Sequence, residues 1–357
     1  MKHPNPTWKY FAPVITLILL AIVSTGWILS IARSQTRSRT VSNTNVAVRS
    51  APESSPSEVV KVDVDLVTVD ALVLQKKTAR IVGGLKEDDF TLFEDGVKQK
   101  ITHFGQDSLP LSVLLLIDRG GCLDPFGKEV HQAALDAISH LKPVDELAVM
   151  TYHDSTTLLQ GFTRDRTLIT EALDRVPKHD EEADHCLNKV FFEAARYMTR
   201  AGNPVGRRVI IAITGVTRNF DCPNAPSGKA AAQAVYESGS VVCGIIPKSG
   251  DQRLENGIMV WATRMGKFGG AASMDIQNLA NETGGEILED KPENLRSTFN
   301  TLIEHLRTRY NLAFVSSNKK RDGTMRKLKI DVAEATQKSQ GSKLVVRARR
   351  SYVAPRS

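Results

Sequence analysis

The chain of 357 residues is 41% apolar and 24% charged, which is the composition of a globular protein rather than of a disordered or collagen-like one. Its formal net charge is +7, and the basic excess lies at the two ends, in residues 1–58 and 319–357. A nucleic-acid enzyme usually carries its positive field on the folded body, so no nucleic acid is expected as a partner. Four cysteines are too few for a fold built on disulfides.

After an N-terminal flank, residues 1–10, comes an uncharged segment, residues 11–32, that is long enough to cross a bilayer as a helix. Two interpretations stay open: an uncleaved membrane anchor, or a signal peptide cut after Ala32, where small residues are suitably placed. Residues 33–58 are polar and rich in serine and threonine, which predicts a flexible linker. We expect the rest of the chain to lie in the cell envelope, anchored in the inner membrane and facing the periplasm, or to be secreted.

Two segments far apart in the chain show the alternation of apolar and polar residues that is typical of strands. In residues 59–106 this pattern includes Asp95 and Gly96, a pair that predicts a tight hairpin turn. The same alternation returns in residues 310–353. Neither segment has enough strands for a sandwich alone, so we predict that together they form one antiparallel β-sandwich.

Residues 107–309, between these segments, alternate strand and helix patterns. Leu111 to Ile117 is a nearly continuous apolar run, as expected for a central parallel strand that is buried on both faces. Further strands are predicted at 147–152, 157–162, 209–213 and 241–246, and helices at 130–141, 187–198, 276–282 and 295–306. The alternation predicts a doubly wound, mainly parallel α/β sheet that is inserted in the sandwich.

Three motifs resemble those of a known family. The run LLLID at 114–118, opening an α/β domain, is similar to the first strand of a von Willebrand factor A domain. The approach GLKEDDFTLFEDG at 84–96 and the ending VRARRSYVAP at 346–355 resemble the flanks of the VWFA-related family best known from acidobacterial genomes. The resemblance covers residues 59–355 and implies a non-enzymatic adhesion or scaffold module that binds an unidentified protein.

The family usually holds a divalent cation at a metal-ion-dependent adhesion site, with the pattern Asp-x-Ser-x-Ser in the first loop, a threonine in the second and an aspartate in the third. Here Asp118 remains, but Gly120 and Cys122 replace both serines, His185 stands near the threonine position, and Thr214 stands where an aspartate is usual. Because only Asp118 survives, as a weak candidate ligand, we expect no Mg²⁺ and no other cofactor. We predict that these five residues form a partner-binding edge with a degenerate metal site.

Three cysteines, Cys122, Cys186 and Cys222, map to this same edge, whereas Cys243 lies in an apolar strand and is predicted to be a packed thiol. The edge cysteines leave open a disulfide between Cys186 and Cys222, free thiols, or a zinc site that includes His185. Two other functions also stay open. One is a cysteine-dependent enzyme or redox protein with His185 as the base, and the other is an inert structural subunit of an envelope complex.

Overall fold

The computed structural model describes residues 66–106, 109–120, 123, 126–177, 185–219, 222, 224–248 and 274–356. The predicted membrane segment 11–32, the predicted linker 33–58 and Cys122 lie outside the described residues. Within the described part of the chain, no helix is both long and apolar enough to cross a membrane.

Four strands precede the α/β part of the chain. They are β1 (Leu66–Gln75), β2 (Phe90–Glu94), β3 (Val97–Gln99) and β4 (Ile101–Gly105). Asp95 and Gly96 connect β2 to β3, and their φ angles are 47° and 83°. A two-residue hairpin turn of this kind needs positive φ at both central positions, which aspartate tolerates and glycine favours. The predicted hairpin is therefore confirmed.

The next long strands form a central sheet. They are β5 (Leu111–Asp118), β6 (Glu146–Tyr152), β7 (Thr156–Thr163), β8 (Arg207–Ile213), β10 (Val241–Pro247) and β12 (Ile287–Asp290), and a separate two-stranded sheet pairs β9 (Arg218–Asn219) with β11 (Met274–Asp275). The strand order of the central sheet is β12-β10-β8-β5-β6-β7, with only β7 antiparallel to its neighbour among these strands. The chain thus enters the sheet in the middle, winds to one edge, and returns to wind to the other.

Helices cover both faces of the central sheet. They are α1 (Gly127–Ser139), α2 (Arg166–Asp174), α3 (Leu187–Met198), α4 (Gly228–Ser238), α5 (Ile276–Thr283) and α6 (Leu295–Arg307). Helices α1, α2 and α6 pack on one hydrophobic cluster and α3, α4 and α5 on another. Neighbouring residues of β5 enter different clusters, Leu115 the first and Leu116 the second, so this strand is buried on both faces. The predicted doubly wound α/β sheet is confirmed.

The chain ends in β13 (Tyr310–Val315), β14 (Met325–Val332), helix α7 (Glu334–Ser339), β15 (Leu344–Ala348) and β16 (Ser351–Val353). These strands join β1 to β4 in two antiparallel four-stranded sheets, which we name sheet I (β15-β1-β13-β4) and sheet II (β16-β14-β2-β3). Each sheet combines strands from before and after the central sheet. One hydrophobic cluster draws on both, including Val69 and Tyr310 of sheet I and Phe90 and Leu328 of sheet II.

The order of the central sheet places a crevice between β5 and β8. These two strands pair in parallel from Leu111 opposite Arg207 to Ile117 opposite Ile213, yet the chain leaves them toward opposite edges of the sheet. Open α/β sheets bind ligands at the carboxyl ends of strands where the strand order reverses in this way. The residues that follow Ile117 and Ile213 are therefore the ones to inspect for a site.

Candidate functional site

Asp118 is the centre of the site, at the carboxyl end of β5, and its side chain is fully buried. Its Oδ1 atom accepts a hydrogen bond from the backbone N–H of Gly120, at 2.8 Å, and lies 2.8 Å from Nε2 of His185. Its Oδ2 atom accepts a hydrogen bond from the hydroxyl of Thr214, at 2.7 Å. Four of the five residues predicted for the edge thus meet around one carboxylate, whereas Cys122 lies outside the described residues. We call the four the Asp118 edge.

These contacts keep the Asp118 carboxyl group ionised. Burial alone would raise the pKa of Asp118, but the hydrogen bond and charge of His185, together with the hydrogen bonds from Gly120 and Thr214, hold that pKa below its usual value. Because an ionised carboxylate only accepts hydrogen bonds, Nε2 of His185 must carry the proton in this contact. The edge is therefore a carboxylate surrounded by donors from three different loops.

The ring of His185 and the missing side chain of Gly120 occupy the same space. A Cβ atom on Gly120 would lie only 2.2 Å from both Cε1 and Nε2 of His185. Gly120 is not among the glycines with positive φ, so glycine is required here for space and not for backbone conformation. Since Gly120 stands at the first serine position of the family pattern, the imidazole fills the volume that a serine side chain would take.

The residues of the Asp118 edge do not fit a Mg²⁺ site. Mg²⁺ requires hard oxygen ligands in a nearly octahedral arrangement. Both carboxylate oxygens of Asp118 already accept hydrogen bonds from protein groups, and the ring nitrogen of His185 stands against Oδ1, where a cation would have to be. Within the described residues, no group of three His, Cys, Asp or Glu side chains is placed to hold a metal ion.

A disulfide bond joins Cys186 to Cys222, with 5.9 Å between the Cα atoms. Cys186 is the N-cap residue of α3 and directly follows His185, and its backbone N–H donates to the carbonyl oxygen of His153, at 3.1 Å. The structure thus has a disulfide where the sequence left open a disulfide, free thiols or a zinc site. The bond ties the segment that carries His185 to the connection between β8 and α4.

Neither Cys186 nor Cys222, the two edge cysteines that the structure describes, takes part in a thiolate–base pair. Cys186 and Cys222 share their disulfide, and Nε2 of His185 contacts Asp118 instead of a sulfur atom. Burial raises the pKa of Cys243 in β10 to about 11, so this thiol stays protonated at neutral pH. Among the described residues, the activated nucleophile that a cysteine-dependent enzyme needs is therefore not assembled.

Two residues that sequence reasoning missed support the loops around the site. Asn188 in α3 is 1% exposed, and its Nδ2 atom donates to the carbonyl oxygen of Pro226, at 2.6 Å. Glu193 in α3 accepts hydrogen bonds from the backbone N–H and the hydroxyl of Thr156, at 3.0 and 2.8 Å. The sequence contains a signal for Asn188, because a buried side-chain amide in the apolar stripe of a helix needs a hydrogen-bond partner.

The strand order of the central sheet, its antiparallel edge strand and the position of Asp118 at the carboxyl end of β5 are those of a doubly wound α/β domain, and they fit the von Willebrand A-like fold that the sequence motifs predict. No protein-family model matches the chain, and no curated protein matches it.

The chain is similar to solved structures, and each of the three alignments that follow covers 55% of this chain. An aerotolerance-related membrane protein from Bacteroides fragilis NCTC 9343, carrying multiple mutations to serines, aligns at 14% identity over 98% of its own chain, with a TM-score of 0.39. The conserved hypothetical protein BatB from Bacteroides thetaiotaomicron aligns at 16% identity over 97% of its chain, with a TM-score of 0.38. The vWF domain of the type V pili tip protein Mfa5 from Porphyromonas gingivalis aligns at 11% identity over 95%, with a TM-score of 0.37.

Proposed function

We propose that this protein is a non-enzymatic protein-binding module of the cell envelope, and that it docks its partner at the Asp118 edge without a divalent cation. The observation that carries the proposal is the engagement of both Asp118 oxygens by Gly120, His185 and Thr214. In the metal-dependent domains that the sequence resembles, an ion on this aspartate recruits a carboxylate of the partner. Here protein donors have taken that place, so the edge offers a prebuilt surface to its partner.

The two outer sheets support a proposal for domain organisation. Residues 59–106 and 310–353 form one β-sandwich from sheets I and II, and the von Willebrand A-like domain, 107–309, is inserted between its halves. The support is the hydrophobic cluster to which both sheets contribute. A crystal structure in which sheets I and II do not face each other would contradict this assignment.

The proposed location follows from two features of the chain. Residues 11–32 have the length and apolarity of a membrane anchor or a signal peptide, and the Cys186–Cys222 disulfide suits an oxidising compartment. The folded part then faces the periplasm, or is secreted if the segment is cleaved. Protease added to intact spheroplasts should remove a C-terminal tag from the anchored form, and a tag that is protected inside the cells would place the folded part in the cytoplasm.

Site-specific photo-crosslinking on the full-length chain tests the docking function. A crosslinking amino acid replaces Asp154, an exposed residue that follows β6 at the carboxyl edge of the sheet. The matched control replaces Val144, which is 51% exposed and precedes the same strand at the opposite edge. We expect a discrete protein adduct from position 154 in membranes, none from position 144, and equal yields with Mg²⁺ and with a chelator.

Three results would overturn the proposed function. The first is equal crosslinking from positions 154 and 144, and the second is no protein adduct from position 154. The third is a yield that requires Mg²⁺ and disappears in Asp118→Ala, which would show that the edge works through a metal ion after all.

A further inference from the structure

A cavity of about 650 Å³ lies between α1 and α2, next to the Asp118 edge. Its walls are mostly apolar and include Val130 and Ala134 of α1, Leu173 of α2, and Val176. The volume falls in the range of about 300 to 1,000 Å³ that ligand pockets in proteins usually have. We call this cavity the α1–α2 pocket; it is large enough to take a bulky apolar side chain.

The rim of the α1–α2 pocket carries charges of both signs, from Arg119 and Lys128 and from Asp118 and Asp174. Within the described residues neither Arg119 nor Lys128 forms an ion pair, so both cations can meet a carboxylate of a partner. The Nε atom of Arg119 is buried and has no hydrogen-bond partner. The two carboxylates at the rim already have partners. Asp118 contacts the other residues of the Asp118 edge, and Asp174 lies 2.9 Å from Nε2 of His131.

We infer that the α1–α2 pocket is the specificity pocket of the docking surface and takes an apolar side chain of the partner that lies next to an aspartate or glutamate. The apolar side chain packs against Val130, Ala134 and Leu173, and the neighbouring carboxylate meets Arg119 and Lys128 at the rim. This inference rests on the proposed function and adds to it the chemistry of the recognised segment: a short acidic and hydrophobic peptide.

A peptide suits this pocket better than a free small molecule because the pocket is continuous with the proposed docking surface. Asp118 and Arg119 line the pocket and also belong to β5 and the loop that follows it. A protein segment that crosses the Asp118 edge can therefore insert a side chain without leaving the surface. Burial of that side chain supplies affinity, and the charged rim selects among partners.

The test measures fluorescence anisotropy of labelled peptides with the purified full-length chain. The reference peptide contains leucine followed by aspartate between glycine and serine residues, and two further peptides change leucine to alanine or aspartate to asparagine. The protein variant is Lys128→Glu. Its matched control is Lys229→Glu, because α1 begins with Gly127-Lys128 and α4 begins with Gly228-Lys229, and both lysines are exposed.

We expect the reference peptide to bind and each peptide change to weaken binding. Lys128→Glu should weaken binding about fivefold or more, since it turns an attraction at the rim into a repulsion, while Lys229→Glu should change it less than about twofold. Equal binding of the aspartate and asparagine peptides would overturn the inference, and so would equal effects of the two lysine variants. Octanoate, an apolar carboxylate that is not a peptide, is measured as well, and its binding in the absence of any peptide binding would also overturn the inference.

The outcome also separates this inference from the proposed function. A protein adduct from position 154 that persists in Lys128→Glu would leave the docking function in place and remove the pocket from it. Peptide binding that depends on Lys128, without any adduct from position 154, would support the pocket and contradict docking at the edge.

Discussion

At the scale of single residues, the site depends on a steric match between Gly120 and His185. The imidazole lies where a side chain on residue 120 would be, and from that position it contacts Asp118. A larger residue at position 120 must displace the ring. Displacing the ring removes a hydrogen-bond donor from the buried carboxylate of Asp118. This loss costs more folding free energy than the loss of one exposed contact.

We therefore predict that Gly120→Ala lowers the free energy of unfolding by about 1 to 3 kcal/mol in the natural chain, because the added methyl group overpacks the ring of His185. The same substitution in a His185→Ala background should cost much less. Urea unfolding of the two single variants and the double variant measures the coupling, which we expect to be at least about 0.5 kcal/mol.

Gly127→Ala is the control for this cycle. A Cβ on Gly127 meets no atom within 4 Å, and the φ angle of Gly127 is not positive, so alanine fits there without a clash. If Gly120→Ala costs no more than Gly127→Ala, or the cycle shows no coupling, then the two residues do not share space as described.

At the scale of elements, the Cys186–Cys222 disulfide joins the start of α3 to the connection before α4 across a separation of 36 residues. Both segments reach the Asp118 edge, one through His185 and the other through Thr214 at the end of β8. The crosslink therefore limits how far two of the three donor loops can separate.

We predict that replacing both cysteines, as Cys186→Ser with Cys222→Ser, lowers the free energy of unfolding by about 3 to 4 kcal/mol, the loop-closure value for a separation of this length. Adding a reductant should lower the stability of the natural chain by a similar amount and leave the double variant unchanged. Denaturation in urea with and without reductant makes the comparison. A natural chain that does not respond to reductant would show that the thiols are free.

Sequence patterns predicted the elements that have a strong apolar stripe and missed those that do not. The run from Leu111 to Ile117 has the length and continuous apolarity expected of a buried strand, and α3 and α6 show clear helical spacing. Helix α4 was missed because its buried face consists of small residues, Ala231 and Ser238 together with Val235. Helix α2 and strand β12 were missed as well, because α2 has only three buried residues and β12 has only four residues in all.

The residues of the candidate site were predictable, but their contacts were not. Asp118 and Thr214 follow strands that had been recognised, so their meeting at one edge follows from the sheet alone. His185 lies 67 residues after Asp118, in a part of the sequence without a periodic pattern, and the disulfide of the neighbouring Cys186 was one alternative among three. The replacement of a serine by Gly120 was visible in the sequence, but the ring that fills its space was not.

At the scale of the whole molecule, the central sheet is joined to sheet I by a buried arginine. Arg207 at the start of β8 is 3% exposed and donates from Nε to Asp70 of β1, at 2.7 Å, and from Nη2 to Asn311 of β13, at 3.0 Å. Its Nη1 atom donates to the carbonyl oxygen of Leu306 at the end of α6. One guanidinium group thus links the domain to strands on both sides of it in the chain.

We predict that Asp70→Asn lowers the free energy of unfolding by about 2 to 4 kcal/mol at neutral pH, because Arg207 keeps a buried charge without its carboxylate. Burial raises the pKa of Asp70, but the charge and hydrogen bond of Arg207 outweigh burial and lower it. The stabilisation is therefore complete above the usual aspartate pKa of about 3.9 and is lost as the pH falls through the lower folded value. Chemical denaturation from neutral to acidic pH should show the free energies of unfolding of the natural chain and of Asp70→Asn converging.

The control for Asp70→Asn is Glu334→Gln, which breaks an exposed pair with Lys338 at 2.9 Å. Exposed pairs of this kind contribute at most about 0.5 kcal/mol, so the control should change little at any pH. Equal effects of the two substitutions would mean that the buried arginine does not couple the domain to sheet I.

The overlap of Gly120 with the ring of His185 limits which of these residues can change alone. A serine at position 120 would collide with the ring, while loss of the ring leaves Asp118 short of a hydrogen-bond donor. The identities of residues 120 and 185 are therefore tied to each other, and we expect them to change together or not at all.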